Sequence, residues 1–223
     1  MNARQLAILD AMGVTAWVPR RAAEIRESTA PAGLDWASLA EAVSGCRLCG
    51  LCETRTQTVF GTGDRGARLM VIGEAPGAEE DRQGEPFVGR AGLLLNSMLR
   101  AAGFERGQVY IANVLKCRPP NNRDPADEEM DRCLPYLRRQ IELVAPAVVL
   151  CVGRIAAQRL LGRGEALARL RGRVHALGEV PVVVTYHPAY LLRSPGEKRK
   201  AWTDLKLALG VLAEREAADG ARP

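Results

Sequence analysis

Three polar residues of different chemistry stand at the ends of short apolar runs. Glu74 follows LMVIG, Asn113 ends VYIAN, and His187 follows VVVTY. A carboxylate can hold water or stabilise a cation, an amide can donate and accept hydrogen bonds together, and an imidazole can donate to a leaving group. Each residue type is also common as a cap or turn former. Their coincidence at three equivalent positions favours a shared site.

A segment rich in glycine and proline follows the first of these runs. It covers 73–92 and reads GEAPGAEEDRQGEPFVGRAG. Its glycines let the backbone come close to a ligand, and Phe87 is a rare aromatic residue in a chain where such residues make up 4%. Three consecutive acids would repel phosphate, so a neutral, flat ligand stacked on Phe87 fits better than a phosphate-binding loop.

The cysteines suggest a second kind of chemistry. They are Cys46, Cys49, Cys52, Cys117, Cys133 and Cys151. A chain without a convincing signal peptide is expected to use them for metal or redox chemistry instead of disulfides. A C-x-x-C pair before the apolar runs and a wider pair after Asn113 suggest one site with four thiolates. Zinc and a 4Fe–4S cluster both accept four cysteines, and either Cys49 or Cys52 can complete the first pair. Cys151 lies in an apolar run and is expected to be a buried free thiol.

The elements that must position these residues follow from an alternation of short apolar runs with longer amphipathic stretches. This alternation predicts an α/β fold: a single domain with a central four-stranded parallel sheet flanked by helices. Because such sheets bind ligands beyond the carboxyl ends of their strands, the three polar residues should meet there. The predicted strands are 69–73, 109–113, 148–152 and 182–186. The predicted helices are 35–43, 91–102, 126–143, 154–161 and 197–214.

The composition and charge of the chain indicate what kind of partner it binds and whether it enters a membrane. The chain has 223 residues, a formal charge of +5 and a pI near 9.1, which is the sign expected for a nucleic-acid partner. No apolar run approaches the roughly 18 residues of a membrane span, so we expect a cytoplasmic protein without membrane association. We also expect a monomer.

The domain is predicted over 35–214, after an N-terminal extension and linker over 1–34 and before a flexible tail over 215–223. His175, in a polar stretch, is expected at the surface.

Four segments together resemble the family 4 uracil-DNA glycosylases. They read GEAPGAEED over 73–81, GEPFVGRAG over 84–92, NVLKCRPP over 113–120 and HPAYLLR over 187–193. The resemblance covers about residues 46–209. It implies the uracil-DNA glycosylase fold, a 4Fe–4S cluster, and single- or double-stranded DNA containing uracil as the substrate of base excision repair. The cluster ligands that it implies are Cys46, Cys49, Cys117 and Cys133, with Cys52 as a bystander.

The resemblance also implies roles in the pocket. Asn113 would hydrogen-bond the Watson–Crick edge of an extruded uracil, and Phe87 would stack on its ring. Gly73 and Ala75 would line the pocket beside it. His187 would donate a hydrogen bond to O2 of the departing base.

Four further residues receive roles at the sugar and along the DNA. Glu74 and Glu80 are both candidates for holding water or stabilising the sugar cation. Leu191 would enter the DNA as a wedge that fills the vacated stack, and Arg193 would contact phosphate. The alternative for Leu191 is a place in the core.

Three other kinds of protein share part of this pattern. Related cross-linking uracil-binding proteins carry a basic insertion ending in histidine after the second strand, whereas here KCRPPNNR passes directly on, so turnover is expected. A non-catalytic iron–sulfur protein that binds nucleic acid, with a vestigial pocket, is permitted by the cysteine pattern alone. An acyl or phosphoryl hydrolase using Glu74 and His187 is disfavoured, because the sequence lacks a nucleophile elbow and a phosphate loop.

Overall fold

Six strands form one mixed sheet, seen in a computed structural model that describes residues 31–220, with side chains as far as residue 218. The strands are β1 Thr62–Gly63, β2 Leu69–Gly73, β3 Tyr110–Asn113, β4 Val148–Val152, β5 Val174–Leu177 and β6 Val180–Thr185. Their order across the sheet is β1-β3-β2-β4-β6-β5. The four inner strands run parallel, and the short edge strands β1 and β5 pair antiparallel with their neighbours.

The inner strands are apolar throughout because helices cover the sheet on both sides. All residues of β2 and β4 are buried. Side chains alternate along a strand, so Met70 and Ile72 join one apolar cluster while Leu69 and Val71 join another. These two clusters form the core above and below the sheet.

Helices supply the outer layers of the domain. They are α1 Trp36–Ser44, α2 Leu51–Thr54, α3 Ala78–Gln83, α4 Arg90–Ala101, α5 Asp127–Val144, α6 Arg154–Leu161, α7 Leu167–Leu170, α8 Pro188–Arg193 and α9 Lys198–Gly220. Buried residues of α1, α5 and α6 pack with Met70, and those of α4 and α9 pack with Val71. The arrangement is a three-layer α/β fold, as the sequence predicts.

The strand count differs from the prediction. The four predicted parallel strands are present, but the sheet has six strands because two edge strands add to it. β1 has only two residues, too few for a recognisable pattern. β5 reads VHAL and contains His175, which is 6% exposed and lies with Nε2 2.6 Å from the carbonyl oxygen of Leu170. The predicted surface position of His175 is therefore wrong.

The predicted boundaries also shift. The compact unit begins at Pro31, not at residue 35. The helix α9 continues to Gly220, beyond the predicted end at residue 214, because Glu and Ala in 215–220 are good helix formers. Residues 1–30 of the predicted N-terminal extension lie outside the described residues. Among those that are described, no helix has the length and apolar character to cross a membrane.

Candidate active site

The carboxyl ends of the parallel strands form a cavity. Glu74 follows β2, Asn113 ends β3, and His187 follows β6 by two residues. All three line this cavity, as the sequence predicts. Among the other lining residues, those that the sequence singled out are Ala75, Glu80, Phe87 and Arg193.

Gly73, which was also predicted to line the pocket, is not a lining residue but lies behind Asn113 and Phe87, which are. A Cβ atom added to Gly73 would lie 2.4 Å from Oδ1 of Asn113 and 2.6 Å from Cζ of Phe87. Both distances are far below van der Waals contact, so any side chain here would displace the amide or the ring. The glycine therefore permits the close approach that brings Asn113 and Phe87 to one space.

Asn113 presents a buried amide to the cavity. The residue is 2% exposed, and its backbone is fixed by parallel pairing with Gly73. Its Oδ1 atom is buried without a hydrogen-bond partner among the residues that the structure describes. A buried acceptor left unpaired costs about 1–3 kcal/mol, so this oxygen is a site for a donor from a ligand.

Phe87 is held in an unusual backbone conformation beside the amide. Its φ is +54°, and the carbonyl groups of Pro86 and Phe87 accept hydrogen bonds from Arg106 at 2.6 and 3.4 Å. A Cβ on Gly92 would lie 1.8 Å from the Phe87 carbonyl oxygen, so this turn needs that glycine. The ring lies 5.6 Å from the His187 ring at an angle of 31°, which leaves two flat surfaces at the cavity.

His187 is neutral, and its ring hydrogen is on Nε2. Its Nδ1 accepts a hydrogen bond from the N–H of Ala189 at 3.2 Å at the start of α8. Burial lowers the pKa of His187 to about 4, with a further decrease from Arg193 and an opposing effect of Glu80. Because Nδ1 is the acceptor, Nε2 bears the hydrogen of the neutral ring and is a donor at pH 7.

Glu74 holds a carboxyl group that titrates near neutrality. Burial raises its pKa to about 7, and the negative charge of Asp124 adds to the increase, while Arg154 opposes it. At pH 7 the group is therefore about half ionised. A carboxyl group with such a pKa can hold water or stabilise a cation once it has lost its proton.

The carboxylate of Glu80 accepts hydrogen bonds from backbone N–H groups. Its Oε1 accepts hydrogen bonds from the backbone N–H groups of Val88 and Gly89, both at 2.9 Å, and its Oε2 accepts one from Gly77 at 3.1 Å. These bonds close the loop that carries Phe87. Of the two glutamates that the sequence left as candidates for water, Glu80 has its oxygens engaged by backbone, so Glu74 is the better placed.

The wedge prediction for Leu191 disagrees with the structure. Leu191 is 1% exposed and packs in a groove with Met98 of α4 and Leu205 of α9. It belongs to the core because that face of α8 lies against α4. Leu192 and Tyr190, by contrast, are 37% and 39% exposed. The exposed leucine of this helix is therefore Leu192.

Five cysteines line a second cavity. They are Cys46, Cys49, Cys52, Cys117 and Cys133. The guanidinium of Arg55 donates to Sγ of Cys117 at 3.0 Å, and the backbone N–H of Lys116 donates to Sγ of Cys133 at 3.3 Å. In the described part of the chain, no group of three or more ligands closes around a single metal ion. Cys151 is fully buried in β4, as predicted.

Three residues of these sites were missed by the sequence analysis. Arg106 holds the turn at Phe87, Arg55 contacts Cys117, and Lys116 is buried beside Asn113. Lys116 carried a signal, since it is a charge within a segment that follows a buried strand. The two arginines act over 19 and 62 residues of sequence, and no local pattern indicates such contacts.

Comparison with known proteins agrees with this geometry. Residues 60–206 match the family model of the uracil DNA glycosylase superfamily. The chain is 44% identical over 172 residues to a type-4 uracil-DNA glycosylase of Archaeoglobus fulgidus. This alignment covers 74% of this chain and 86% of the relative. It is 41% identical over 185 residues to a type-4 enzyme of Pyrobaculum aerophilum, covering 79% of this chain and 94% of the relative. The chain therefore belongs to the uracil DNA glycosylase superfamily and, within it, to the type-4 uracil-DNA glycosylases.

Proposed function

We propose that the protein removes uracil from DNA by hydrolysing its N-glycosidic bond, which leaves an abasic site. The observation that carries this proposal is the buried, unpaired Oδ1 of Asn113 in a cavity that Phe87 and a neutral His187 also line. A flat base with polar edges would fit in this cavity with its edge toward Asn113. Because a base inside a duplex cannot reach such a cavity, the nucleotide must first be extruded from the stack.

Selectivity for uracil follows from the donor and acceptor pattern of one amide. The oxygen of Asn113 accepts from N3–H of uracil, and its NH₂ group donates to O4. Cytosine has an acceptor at N3 and a donor at C4, so it would leave both groups of Asn113 unpaired in a buried place. Such mismatches are rejected strongly because buried polar groups lose their hydrogen bonds with water.

Catalysis requires two kinds of stabilisation, one for the negative charge on the departing base and one for the positive charge on the sugar. As the bond between C1′ and N1 breaks, its electron pair moves into the uracil ring and positive charge grows on the sugar. Nε2–H of His187 donates to O2 of the uracil anion, and ionised Glu74 stabilises the sugar cation and orients water. The water oxygen bonds to C1′, and the proton that it loses neutralises the uracil anion in the overall reaction.

The DNA itself is held outside the pocket. Arg193 lies exposed at the cavity rim, where its charge suits a phosphate. We propose Leu192 as the apolar residue that fills the vacated stack, because Leu191 is buried in the core. The chain's charge of +5 favours DNA of either form. The cytoplasmic location and the monomeric state stay predictions.

We also propose a 4Fe–4S cluster held by Cys46, Cys49, Cys117 and Cys133. Support comes from the cavity that these thiols share and from the cationic donor that Arg55 directs at Cys117. A cluster is larger than one ion, so its thiolates need not converge on a single point. When bound, the cluster supplies structural cross-links between the segment before β1 and the segment after β3, with no part in hydrolysis.

The cluster proposal is tested by colour. The purified protein should be brown, with broad visible absorption and about four iron atoms per chain. Cys133→Ala should lose both colour and soluble yield, whereas Cys52→Ala should keep the colour. A colourless protein that contains zinc would contradict the cluster, and loss of iron in Cys52→Ala would contradict the ligand set.

The glycosylase activity is tested with an end-labelled oligonucleotide that contains one uracil. After incubation, alkali should cut the strand at that position, and a matched strand with thymine should stay intact. His187→Ala should slow the single-turnover rate by about 10²-fold if its hydrogen bond stabilises the leaving base. Binding without strand cutting would indicate a non-catalytic nucleic-acid-binding protein instead.

A further inference from the structure

Lys116 is a charged side chain buried beside the uracil pocket. It is 1% exposed, and its ammonium donates to the backbone oxygen of Asn113 at 2.8 Å and to Oε1 of Gln140 at 2.5 Å. Burying an ammonium group is costly unless its protons are accepted. The two acceptors offset part of this cost, and they fix where the ammonium lies.

Gln140 presents its oxygen to Lys116 in a fixed orientation. The residue lies on α5 and is fully buried. Its Nε2 donates to the carbonyl oxygen of Phe60 at 3.0 Å and to the hydroxyl of Tyr110 at 3.1 Å. Because both amide hydrogens are engaged, the amide cannot turn, and its oxygen holds the Lys116 ammonium in place.

The Lys116 ammonium contacts the backbone of Asn113 at the end of β3. The N–H of Val114 donates to the carbonyl oxygen of Gly73, which continues the pairing of β3 with β2. The carbonyl oxygen of Asn113 itself accepts from the Lys116 side chain. Together with the Val114 bond, this contact holds the peptide plane that follows Asn113, and so restrains the backbone that carries the recognition amide.

We propose that Lys116 is a positioning residue for uracil recognition, which holds the Asn113 amide in register with the base through its bond to the Asn113 carbonyl. The proposal rests on the proposed function. It differs from a purely structural role in one respect. Loss of Lys116 should weaken contacts to the base selectively, because the sugar and phosphates are bound by other groups.

The first test compares Lys116→Met with two controls. Lys116→Met keeps the length and apolar stem of the side chain but removes the donor. Lys206→Met changes an exposed lysine on α9, and Leu212→Ala removes a buried side chain of the same helix that has no hydrogen bond to Asn113 or Lys116. Three quantities are measured for each: inhibition by free uracil, the single-turnover rate of excision, and affinity for DNA with an abasic site.

We expect Lys116→Met to weaken uracil inhibition about tenfold and to slow excision by about 10- to 100-fold, since small misplacements of a recognition group have large effects on rate. Its affinity for abasic DNA should stay within about twofold of the wild-type value, because that DNA has no base for Asn113 to bind. Both controls should retain uracil inhibition. If Lys116→Met instead matches Leu212→Ala in uracil inhibition, or loses abasic DNA in parallel, the proposal fails.

A second pair of variants decides the matter if Lys116→Met does not fold. Gln140→Glu and Gln140→Met both lose the N–H groups that contact Phe60 and Tyr110, but only Gln140→Glu keeps an oxygen for Lys116. Uracil inhibition should stay near the wild-type value in Gln140→Glu and weaken in Gln140→Met. Equal losses in both would overturn the proposal. Visible absorption is recorded for every variant, so that loss of a cluster is not mistaken for loss of positioning. A wild-type protein that releases no uracil would contradict the proposed function, not the role of Lys116 alone.

Discussion

Glu74 and His187 lie at one edge of the sheet, and burial acts on both in the same sense. It disfavours the charged form of each, which raises the pKa of the Glu74 carboxyl and lowers that of the His187 imidazole. The histidine therefore stays neutral at pH 7, and the Nε2–H of its neutral ring is the hydrogen-bond donor. The glutamate, with a pKa of about 7, changes its charge within the physiological range.

The first prediction is a rise of activity through pH 7. Only ionised Glu74 can stabilise the sugar cation, so the single-turnover rate should increase about tenfold per pH unit below 7 and level off above it. His187 should have no effect above pH 5, because its pKa is about 4. The measurement is the pH dependence of excision in wild type and in Glu74→Gln. Glu74→Gln should be slow and flat near pH 7, and a wild-type profile without an inflection there would contradict the role of Glu74.

The second prediction concerns stability at the same residue. The pKa of Glu74 in the folded chain lies above its ordinary value of 4.5, so its contribution to stability is fully present below pH 4.5 and is lost as pH rises through 7. At pH 8, Glu74→Gln should therefore be more stable than wild type by on the order of 1 kcal/mol, allowing for partial exposure.

Urea unfolding at pH 8 and pH 5 measures this difference, which should be smaller at pH 5. Glu79→Gln is the matched control, because Glu79 is exposed and its pKa is lowered by Arg82. Its substitution should give no gain at pH 8. A Glu74→Gln protein less stable than wild type at pH 8 would show that the ionised carboxylate has stabilising partners.

Most of the candidate site could be predicted residue by residue, because the position after a buried strand is a local property. Glu74, Asn113 and His187 each stand at such a position and meet in the structure. The engagement of Glu80 by three backbone N–H groups could not be predicted, since those groups belong to a loop whose path only the fold determines. The same holds for Lys116, whose acceptor Gln140 lies on a distant helix.

At the scale of elements, the inner strands and long helices followed from their patterns, while the edges of the sheet did not. β2 and β4 are buried on both faces and read as continuous apolar runs, which are easily recognised. β5 alternates exposed and buried residues over four positions, and its pairing with β6 decides its conformation. The short helix α8 shows the same limit, because periodicity over six residues did not distinguish its buried leucine from its exposed one.

The third prediction separates the two leucines of α8. If Leu192 holds the stack open, Leu192→Ala should slow excision most on a U:A duplex, less on U:G and least on single-stranded DNA, because extruding a base from a well-paired stack costs a few kcal/mol. Leu191→Ala should instead lose about 2–5 kcal/mol of folding stability, as a buried leucine does, with similar losses of rate on all three substrates. Single-turnover rates and urea unfolding of both variants give the comparison. The reverse pattern would return the wedge to Leu191.

At the scale of the whole molecule, the uracil pocket and the cysteine cavity share a short stretch of chain. Asn113 ends β3, and Cys117 follows four residues later. Arg132 of α5 donates to the carbonyl oxygen of Leu48 at 2.6 Å, which ties the first cysteine segment to the helix that carries Cys133. The cysteine cavity thus lies where the segment before β1 meets the segment after β3, the strand that ends in Asn113. A structural cluster there would stiffen the support of the pocket without entering it.

The central claim is that this pocket releases uracil and selects it through Asn113. The most direct measurement is the free base released under single-turnover conditions from strands that carry one uracil, one cytosine or one thymine, for wild type and for Asn113→Asp. The wild-type protein should release one free uracil per abasic site and no detectable cytosine or thymine. Asn113→Asp should be much slower on uracil, since an ionised carboxylate cannot donate to O4. Wild-type protein that releases no uracil, or an Asn113→Asp protein with an unchanged rate and preference, would contradict the claim.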